Sequence, residues 1–559
     1  MTIDPKMVDE NHARLMQRRS NFDSSWSEIA RLVYPAMDRF YGGGMSGSRM
    51  WRDRPVEAYA HDPYAAGALE DGVSVFEGFV MPRGQRWQKL SIDDEPLMAR
   101  VENAQWLEQV EIRLFRLRND PESGFANAVH ESAMSLFAFG AQSTWPEVRR
   151  NAQGWPAGLS YQAEFIGDIY IERDAEGRPM RIHKVFELTA EQAERKWGDA
   201  CPPEVRKALS GMHPNRQAPF VFIHIIEPNR DIVPGRMDHR GKPWCGGYWS
   251  VTDKVLFQEG GYWTLPRIVS TYASAAGSTW GMGPTQKVLP LIRMGQEITL
   301  DRVLGAEMRL KPPLLAQDDA LDSAVISLRA FGITYGGLDE RGNPMLKEFL
   351  TQADATDAKD LTMEARALID RAYFRDLLQL NRELKSHVSA ARTAEEVAEK
   401  GLLLAPLSRQ EQQWLSPMTE RELQLMGEIG WLDDMPDEIR EYLADGGGMG
   451  IKYDNGLSAM QEAGKSAAYL NVASQVGALA QFDPSVVEDF RREMPMAKVI
   501  PALARIAGVP ASMMATDDEK SAFDEQKAMA ARQEALLKVA PVVSDLAQQA
   551  GQLALPAPV

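Results

Sequence analysis

Cysteine is nearly absent from this 559-residue chain, which holds only Cys201 and Cys245. Two cysteines exclude a disulfide framework and any zinc knuckle built on paired Cys-x-x-Cys motifs. Long apolar runs are missing as well. The strand-like FVFIHII (220–226) falls far short of the roughly 20 residues that span a bilayer. The opening MTIDPKMVDENHARLM has no apolar core of the kind a secretory signal needs, so none is expected. Positive charge is also in deficit, since 62 Lys and Arg face 79 Asp and Glu, a formal charge of −17. That excludes a protein that holds nucleic acid by bulk positive charge.

The motifs of enzyme chemistry are absent too. The loop Gly42-Gly43-Gly44-Met45-Ser46-Gly47-Ser48 lacks the Lys of a phosphate-binding loop. Gly281-Met282-Gly283 is followed by Gln286 where a dinucleotide fingerprint needs a third Gly, and no G-x-S-x-G elbow occurs. The eight histidines (12, 61, 130, 183, 213, 224, 239 and 387) never fall three or four residues apart, as a helical metal pair requires. His130-Glu131 begins such a motif, but position 134 is Met. His224, inside FVFIHII, reads as a satisfied strand residue. Asp93-Asp94-Glu95 reads as a solvated loop, and Trp87 after Arg83-Gly84-Gln85-Arg86 as the anchor of a helix-to-strand turn. No catalytic residue, cofactor or metal is expected.

What is present is an ordinary globular composition, 44% hydrophobic and 25% charged. At roughly 150 residues per domain the length allows three or four structural units. The fold class expected is α+β, mainly helical. Residues 1–150 read as helices: one opened by the capping box Ser25-Trp26-Ser27-Glu28 and stopped at Pro35, then stretches near 63–80, 96–118 and 122–140. A β-rich segment follows at about 160–275, with a hairpin at Arg173–Arg178 and a helix opened by the capping box Thr189–Gln192. A long helix should begin at Pro284 and run to about Lys311, ahead of Pro312-Pro313, with Pro290 as a kink. Its apolar residues Val288, Ile292, Ile298, Val303 and Leu304 share their face with Gln296 and Arg302, a pattern better suited to flanking subunits than to one core. A second long helix, about 357–380, carries an apolar row of Leu361, Leu368, Ala372 and Leu377. The last third is helical, with capping boxes at Thr393–Glu396 and Thr516–Glu519, breaks at Pro406 and Pro417, and a frayed tail from 541.

Six blocks in one order then resemble a known family, the head-to-tail connecting (portal) proteins of short-tailed bacteriophages. SNFDSSWSEIA (20–30) is similar to the family's opening helix, and EGFVMPRGQRW (77–87) to a helix ending in a Pro-Gly-x-Arg-Trp turn. EFIGDIYI (164–171), DAEGR (174–178) and FELTAEQAERKWG (186–198) form the most specific stretch. WGMGP (280–284) resembles the turn into the first stem helix, although Met282 stands where the family usually has Arg. RTAEEV (392–397) and GVP (508–510) resemble later helical segments.

The resemblance implies a ring of twelve subunits at one capsid vertex, with wing, stem, clip and crown regions. Residues 1–283 and about 393–450 would be wing, 284–311 and 355–381 the two stem helices, 312–354 the clip, 382–392 a tunnel loop, and 451–559 the crown. The tunnel-loop residues Arg382, Lys385, His387 and Arg392 would face the DNA channel. Arg293, Asp301, Arg302, Asp370 and Arg371 would pair between neighbouring subunits in the stem. Implied partners are other copies of the chain, double-stranded DNA passing without sequence specificity, the terminase motor, capsid and scaffolding proteins, and tail adaptor proteins, with no membrane. The place implied is the virion, after assembly in the host cytoplasm. Two other readings stay open at this point: a monomeric or dimeric helical adaptor or tail protein, and a nuclease or hydrolase with an irregular site.

Overall fold

A computed structural model describes residues 3–37, 60–210, 219–274, 277–310, 314–316, 333–335, 338–339, 341–344, 355–376 and 405–453, with isolated positions at 331 and between 472 and 529. The chain divides into two units, residues 1–93 with 106–461, and residues 94–105 with 462–559. The loop at 41–47, Pro312-Pro313, the capping boxes at 393 and 516 and the tail from 541 lie outside the described residues.

The first helix, α1 (Pro5–Leu32), starts 20 residues before the expected cap. Asp4 is its N-cap, accepting from the Lys6 N–H at 3.0 Å, and Pro5 occupies the first turn. Val8, His12, Leu15, Arg19, Trp26, Ile29 and Ala30 recur at helical spacing and are buried. That continuous face carries the helix through Ser25–Glu28, so the capping-box pattern there does not mark a start. α2 (Tyr64–Val80) ends at Met81-Pro82, as its sequence requires. β1 (Gln88–Ile92) follows, anchored by the buried Trp87. The short α3 (Glu95–Ala99) is capped by Asp94, whose side chain accepts from the Leu97 N–H at 3.1 Å. Asp94 therefore serves a helix end, while Asp93 beside it is exposed. α4 (Val101–Asn119) and α5 (Phe125–Phe139) complete the helical segment.

The β-rich segment begins at 141, earlier than the sequence pattern suggests. β2 (Ala141–Arg150) pairs with β3 (Pro156–Glu164), and later with β9 (Ile268–Thr271), in a sheet of order β3-β2-β9. Between them lies an antiparallel five-stranded meander of β4 (Ile169–Arg173), β5 (Pro179–Leu188), β6 (Phe220–Pro228), β7 (Trp244–Ser250) and β8 (Val255–Tyr262). The expected hairpin joins β4 to β5. The Thr189 capping box is complete: Gln192 N–H donates to Thr189 Oγ1 at 3.3 Å, and Thr189 N–H to Gln192 Oε1 at 3.0 Å. It opens α6 (Ala190–Trp197), followed by α7 (Pro203–Leu209).

The long α8 (Pro284–Leu310) contains Pro290 and would measure about 40 Å at 1.5 Å per residue. β10 (Leu314–Ala316) and β11 (Ile333–Tyr335) pair in parallel before α9 (Ala355–Ala372). A 3₁₀ turn (Ala405–Ser408) holds Pro406, and a π turn (Glu411–Leu415) runs directly into α10 (Ser416–Glu428). Pro417 thus sits in the first turn of α10, where its missing N–H costs little, rather than breaking a helix. α11 (Asp437–Ala444) leads to β12 (Met449–Tyr453), which pairs antiparallel with β1 more than 350 positions earlier in the chain.

One aromatic-rich core joins α1, α2, α5, α8, α9 and the segment before α10. Trp26 meets Trp280 edge-on at 5.1 Å, and Phe76 stacks on Trp414 at 5.8 Å. The meander is lined on each face by a smaller cluster. Ile3 and Val8 pack with Ile223 and Ile225, whereas Trp197 and the helices α6 and α7 pack with Phe222, as the two-residue period of β6 dictates. Among the described residues no helix is long and apolar enough to cross a membrane.

Candidate functional site

The groups that could have carried chemistry are engaged structurally. His224 is buried, stacked on Tyr248 at 4.5 Å, with Tyr262 Oη 3.3 Å from its Nε2 and Arg267 3.4 Å from its Nδ1. Burial and the Arg267 guanidinium hold its imidazole neutral, well below the usual range. His130 lies 2.8 Å from Glu77. Burial pushes the Cys245 thiol up to about 12, away from the nucleophilic thiolate. Among the described residues no group of three or more His, Cys, Asp or Glu is placed to hold a metal. Buried charges are matched. The Glu164 carboxylate receives Arg267 at 2.5 Å, Lys184 at 2.7 Å and the Ser143 hydroxyl at 2.7 Å. Glu422, fully buried, receives Arg118 and the Tyr161 hydroxyl, and the Arg118 guanidinium lies 4.4 Å over the Trp87 ring. Trp87 is thereby committed to the core as its sequence context suggests.

The feature that the fold positions most deliberately is the root of α8 and α9. The turn into α8 is a meeting of backbones. Gly140, at φ +78°, abuts Gly281 and Gly283 so closely that a Cβ on Gly281 would lie 2.5 Å from the Gly140 carbonyl oxygen. Gln286 caps the turn, its Oε1 accepting from the Gly283 N–H at 2.6 Å, and the Thr285 hydroxyl bonds the Phe137 carbonyl and Tyr373 Oη. Met282, in the position where Arg was expected from the resemblance, is half exposed, and its N–H donates to the Ala273 carbonyl.

Further along, a polar clamp ties both helices to the segment before α2. Gln296 Oε1 accepts from the N–H groups of His61 and Asp62 (2.6 and 2.9 Å), while its Nε2 donates to the Asp62 carbonyl at 2.7 Å. The Asp62 carboxylate receives Arg366 from α9 at 3.2 Å. Tyr64 donates to the Asp370 carboxylate at 2.7 Å, under the guanidinium groups of Arg366 and Arg375. Burial, with the Asp370 carboxylate second, pushes the Tyr64 hydroxyl up to about 12. Asp62, Gln296, Thr362 and Arg366 also line a small cavity at this root. These residues were missed as a site. The available signal was Gln296, a polar residue on the buried face of α8.

Beyond the clamp the helices leave the core. Val288, Leu289, Ile292 and Gln296 are buried, but residues 301–307 and 310 are all exposed, including Val303, Leu304 and Leu310 (81%). On α9 the buried row is Thr362, Ala365, Ile369 and then Tyr373. Leu361 and Leu368, expected to form that row, are exposed together with Met363 (60%), because the row that faces the body is offset by one position. Leu377 lies outside the described residues. Of the charged residues singled out in the stem, Arg293 is bound within the chain to both oxygens of Glu28 (2.6 Å each), and Asp370 to Tyr64. Asp301, Arg302 and Arg371 are exposed. Arg382, Lys385, His387 and Arg392 lie outside the described residues.

Two kinds of comparison bear on this arrangement. The model of the bacteriophage head to tail connecting protein family matches residues 6–514. The portal protein of Salmonella phage epsilon15 is 23% identical over 541 residues, 93% of this chain and 90% of that protein. The probable portal protein of Bordetella phage BPP-1 is 23% identical over 545 residues, 95% of this chain and 93% of its own length.

Proposed function

From the premise that the chain belongs to the bacteriophage head-to-tail connecting protein family, and that its function is that of a portal, we propose that it works as a closed ring of twelve subunits at one capsid vertex. The ring is the channel through which a separate terminase motor drives duplex DNA and through which the genome leaves. It is also the platform on which capsid, scaffolding and tail adaptor proteins meet. The protein is a component of the phage particle, assembled in the host cytoplasm.

The observation that carries this reading is the family match along nearly the whole chain, joined to a helix pair that, among the described residues, leaves large apolar side chains exposed. In a ring the contact between neighbours is heterologous, with one face of each subunit meeting a different face of the next. Val303, Leu304, Leu361, Met363 and Leu368 supply apolar area for it, and Asp301, Arg302 and Arg371 supply charges of both signs. Arg293 and Asp370 act from within the subunit, fixing the helices to Glu28 and Tyr64. The tunnel segment 382–392 would put Arg382, Lys385, His387 and Arg392 against the passing duplex. The acidic balance of the chain suits a conduit, since each phosphate neutralised by a cation tightens DNA binding and would hold the cargo.

The wing, stem, clip and crown divisions follow the boundaries given above. Native mass together with end-on electron microscopy tests the whole reading. Twelve copies of 62.3 kDa, about 750 kDa, around an open channel is the expected result. A chain that stays a monomer in assembly buffer with scaffolding protein present would overturn it in favour of an adaptor.

A further inference from the structure

We propose that His12 and His183 form an acid-operated latch that fastens the first half of α1 to the five-stranded sheet. The two imidazoles are almost fully buried, at 2% and 1% exposure. Their rings stack at 5.5 Å with a 17° tilt, and their Nδ1 atoms are 3.4 Å apart. At that separation one Nδ1 donates and the other accepts, so the contact requires a neutral acceptor. His12 also meets the Tyr170 ring of β4 edge-on at 4.9 Å. Beyond this pair, the start of α1 is held to the sheet by the small cluster of Ile3 and Val8 against Ile223, Ile225, Cys245, Trp249 and Leu256.

The surrounding charges make the contact intolerant of protons. From α1 itself comes Arg19, whose guanidinium is used by the Gly167 and Ile169 carbonyls, Tyr170 Oη and Asp23. From β5 comes Arg181, bound to Glu172 of β4 at 2.7 Å and to Glu227 of β6 at 2.8 Å. Glu172 also receives Arg14 and Arg18 from α1. Each carboxylate near the pair is therefore already committed to an arginine, and the groups left facing the imidazoles are cationic. A proton taken from solvent onto each ring turns donor and acceptor into two opposed donors between two guanidinium groups. Burial and these neighbours hold both imidazoles neutral, His12 down to about 4 and His183 well below the usual range. The hold on the first half of α1 should then weaken progressively as pH falls below about 6.5, the ordinary imidazole value, toward pH 4, while the sheet stays formed. This inference rests on the fold and not on the ring.

Amide hydrogen exchange of the full chain, corrected for the intrinsic pH dependence, tests it. Between pH 7.5 and pH 4, segments within residues 5–20 should lose at least tenfold protection while β5 and β6 keep theirs. His12→Gln and His183→Gln should each weaken that acid step, the double variant should abolish it, and Glu172→Gln should retain it. Exchange at the imidazole C2 carbon of the unaltered chain reads each histidine directly, so the result does not depend on the variants folding. Ordinary titration near 6.5 for both rings, unchanged protection of α1 at pH 4, simultaneous opening of the whole sheet, or an acid step undiminished in the double histidine variant would each overturn the latch.

Discussion

The aromatic body and the projecting half of the helix pair are made from the same residue types used in opposite ways. In the body, bulky side chains are buried against one another, and most buried charges sit in paired clusters such as Glu422 with Arg118 and Tyr161. In the distal part of α8 and on the outer face of α9, leucine, valine and methionine face solvent, and Asp301, Arg302 and Arg371 are exposed as well. Between these regimes sits the clamp of Asp62, Gln296 and Arg366. The difference is instructive about where stability and assembly reside. A body whose apolar groups are buried against one another folds on its own account, whereas large apolar side chains left exposed together on one helix pair suggest a place completed by something else. Substitutions in the two regions should therefore move different observables.

The largest effect is expected in the body. Arg118→Met leaves Glu422 buried with no cation, and removal of one partner of a buried pair costs about 3–5 kcal/mol. The urea midpoint of the unassembled chain should fall with its slope unchanged. A fall equivalent to less than about 1 kcal/mol would mean that water reaches the cluster.

Next comes Glu111 of α4, whose carboxylate accepts from the Leu90 N–H of β1 at 2.7 Å. Burial raises it to about 7, against a backbone hydrogen bond and the Arg86 guanidinium that pull it down. Because the folded-state value lies above the unfolded one, the group's favourable contribution is complete below about pH 4.5 and is lost as pH rises through 7. A shift of that size corresponds to about 3 kcal/mol at most. Glu111→Gln keeps the acceptor for Leu90 and should flatten this dependence, leaving the variant more stable than the unaltered chain at pH 8 and no more stable at pH 5. Identical pH profiles for the two chains would show that Glu111 is hydrated.

What could be read in advance follows the same division. Local rules found α2, the β4–β5 hairpin, the Thr189 cap and the start of α8, because each is fixed by neighbours a few positions away. The start of α1 was missed because a sound capping pattern at Ser25 lies inside a longer apolar periodicity that outweighs it. The β1–β12 pair has no local signal at all, since its strands are short and far apart in the chain. The α9 face was read one position off because leucine looks like core. Here Thr362 and Ala365 are small enough to let α9 approach α8, and the leucines are turned outward. The clamp was missed for a related reason: apart from Gln296 on the apolar face of α8, its members come from distant segments and are ordinary polar residues until folding brings them together.

A smaller effect should appear where α8 leaves the body. Gly281→Ala places a methyl group 2.5 Å from the Gly140 carbonyl oxygen, and overpacking of this kind costs about 1–3 kcal/mol. Since the strain falls on the turn, thermal unfolding should show an earlier midpoint, and hydrogen exchange should show the loss of protection concentrated in α8 and the end of α5. Gly305→Ala, on the exposed part of the same helix with nothing near its Cβ, is the matched control and should cause no loss. Equal behaviour of the two variants would erase the boundary between root and projecting arm.

The smallest effect on folding, and the sharpest on assembly, belongs to the exposed apolar residues of the arm. Val303→Ser with Leu304→Ser alters two exposed side chains that belong to no buried cluster, so the stability of the unassembled protein should change little, by about 0.5 kcal/mol per site. If those side chains are covered by a neighbouring subunit, each loses its transfer free energy at every repeat of the ring, roughly 1.5–3 kcal/mol for a fully buried Val or Leu. Ring formation, followed by native mass at fixed protein concentration, should then weaken by orders of magnitude while the denaturation curve of the monomer stays in place. Arg293→Ala offers the complementary case, because its partner Glu28 lies in its own subunit and both side chains are partly exposed. It should leave ring formation nearly intact, with at most about 1 kcal/mol lost from the monomer. Loss of the ring in Arg293→Ala together with an undisturbed ring in the Val303/Leu304 double variant would reverse the assignment, placing the subunit contact on the charged side of α8 rather than on its exposed apolar end.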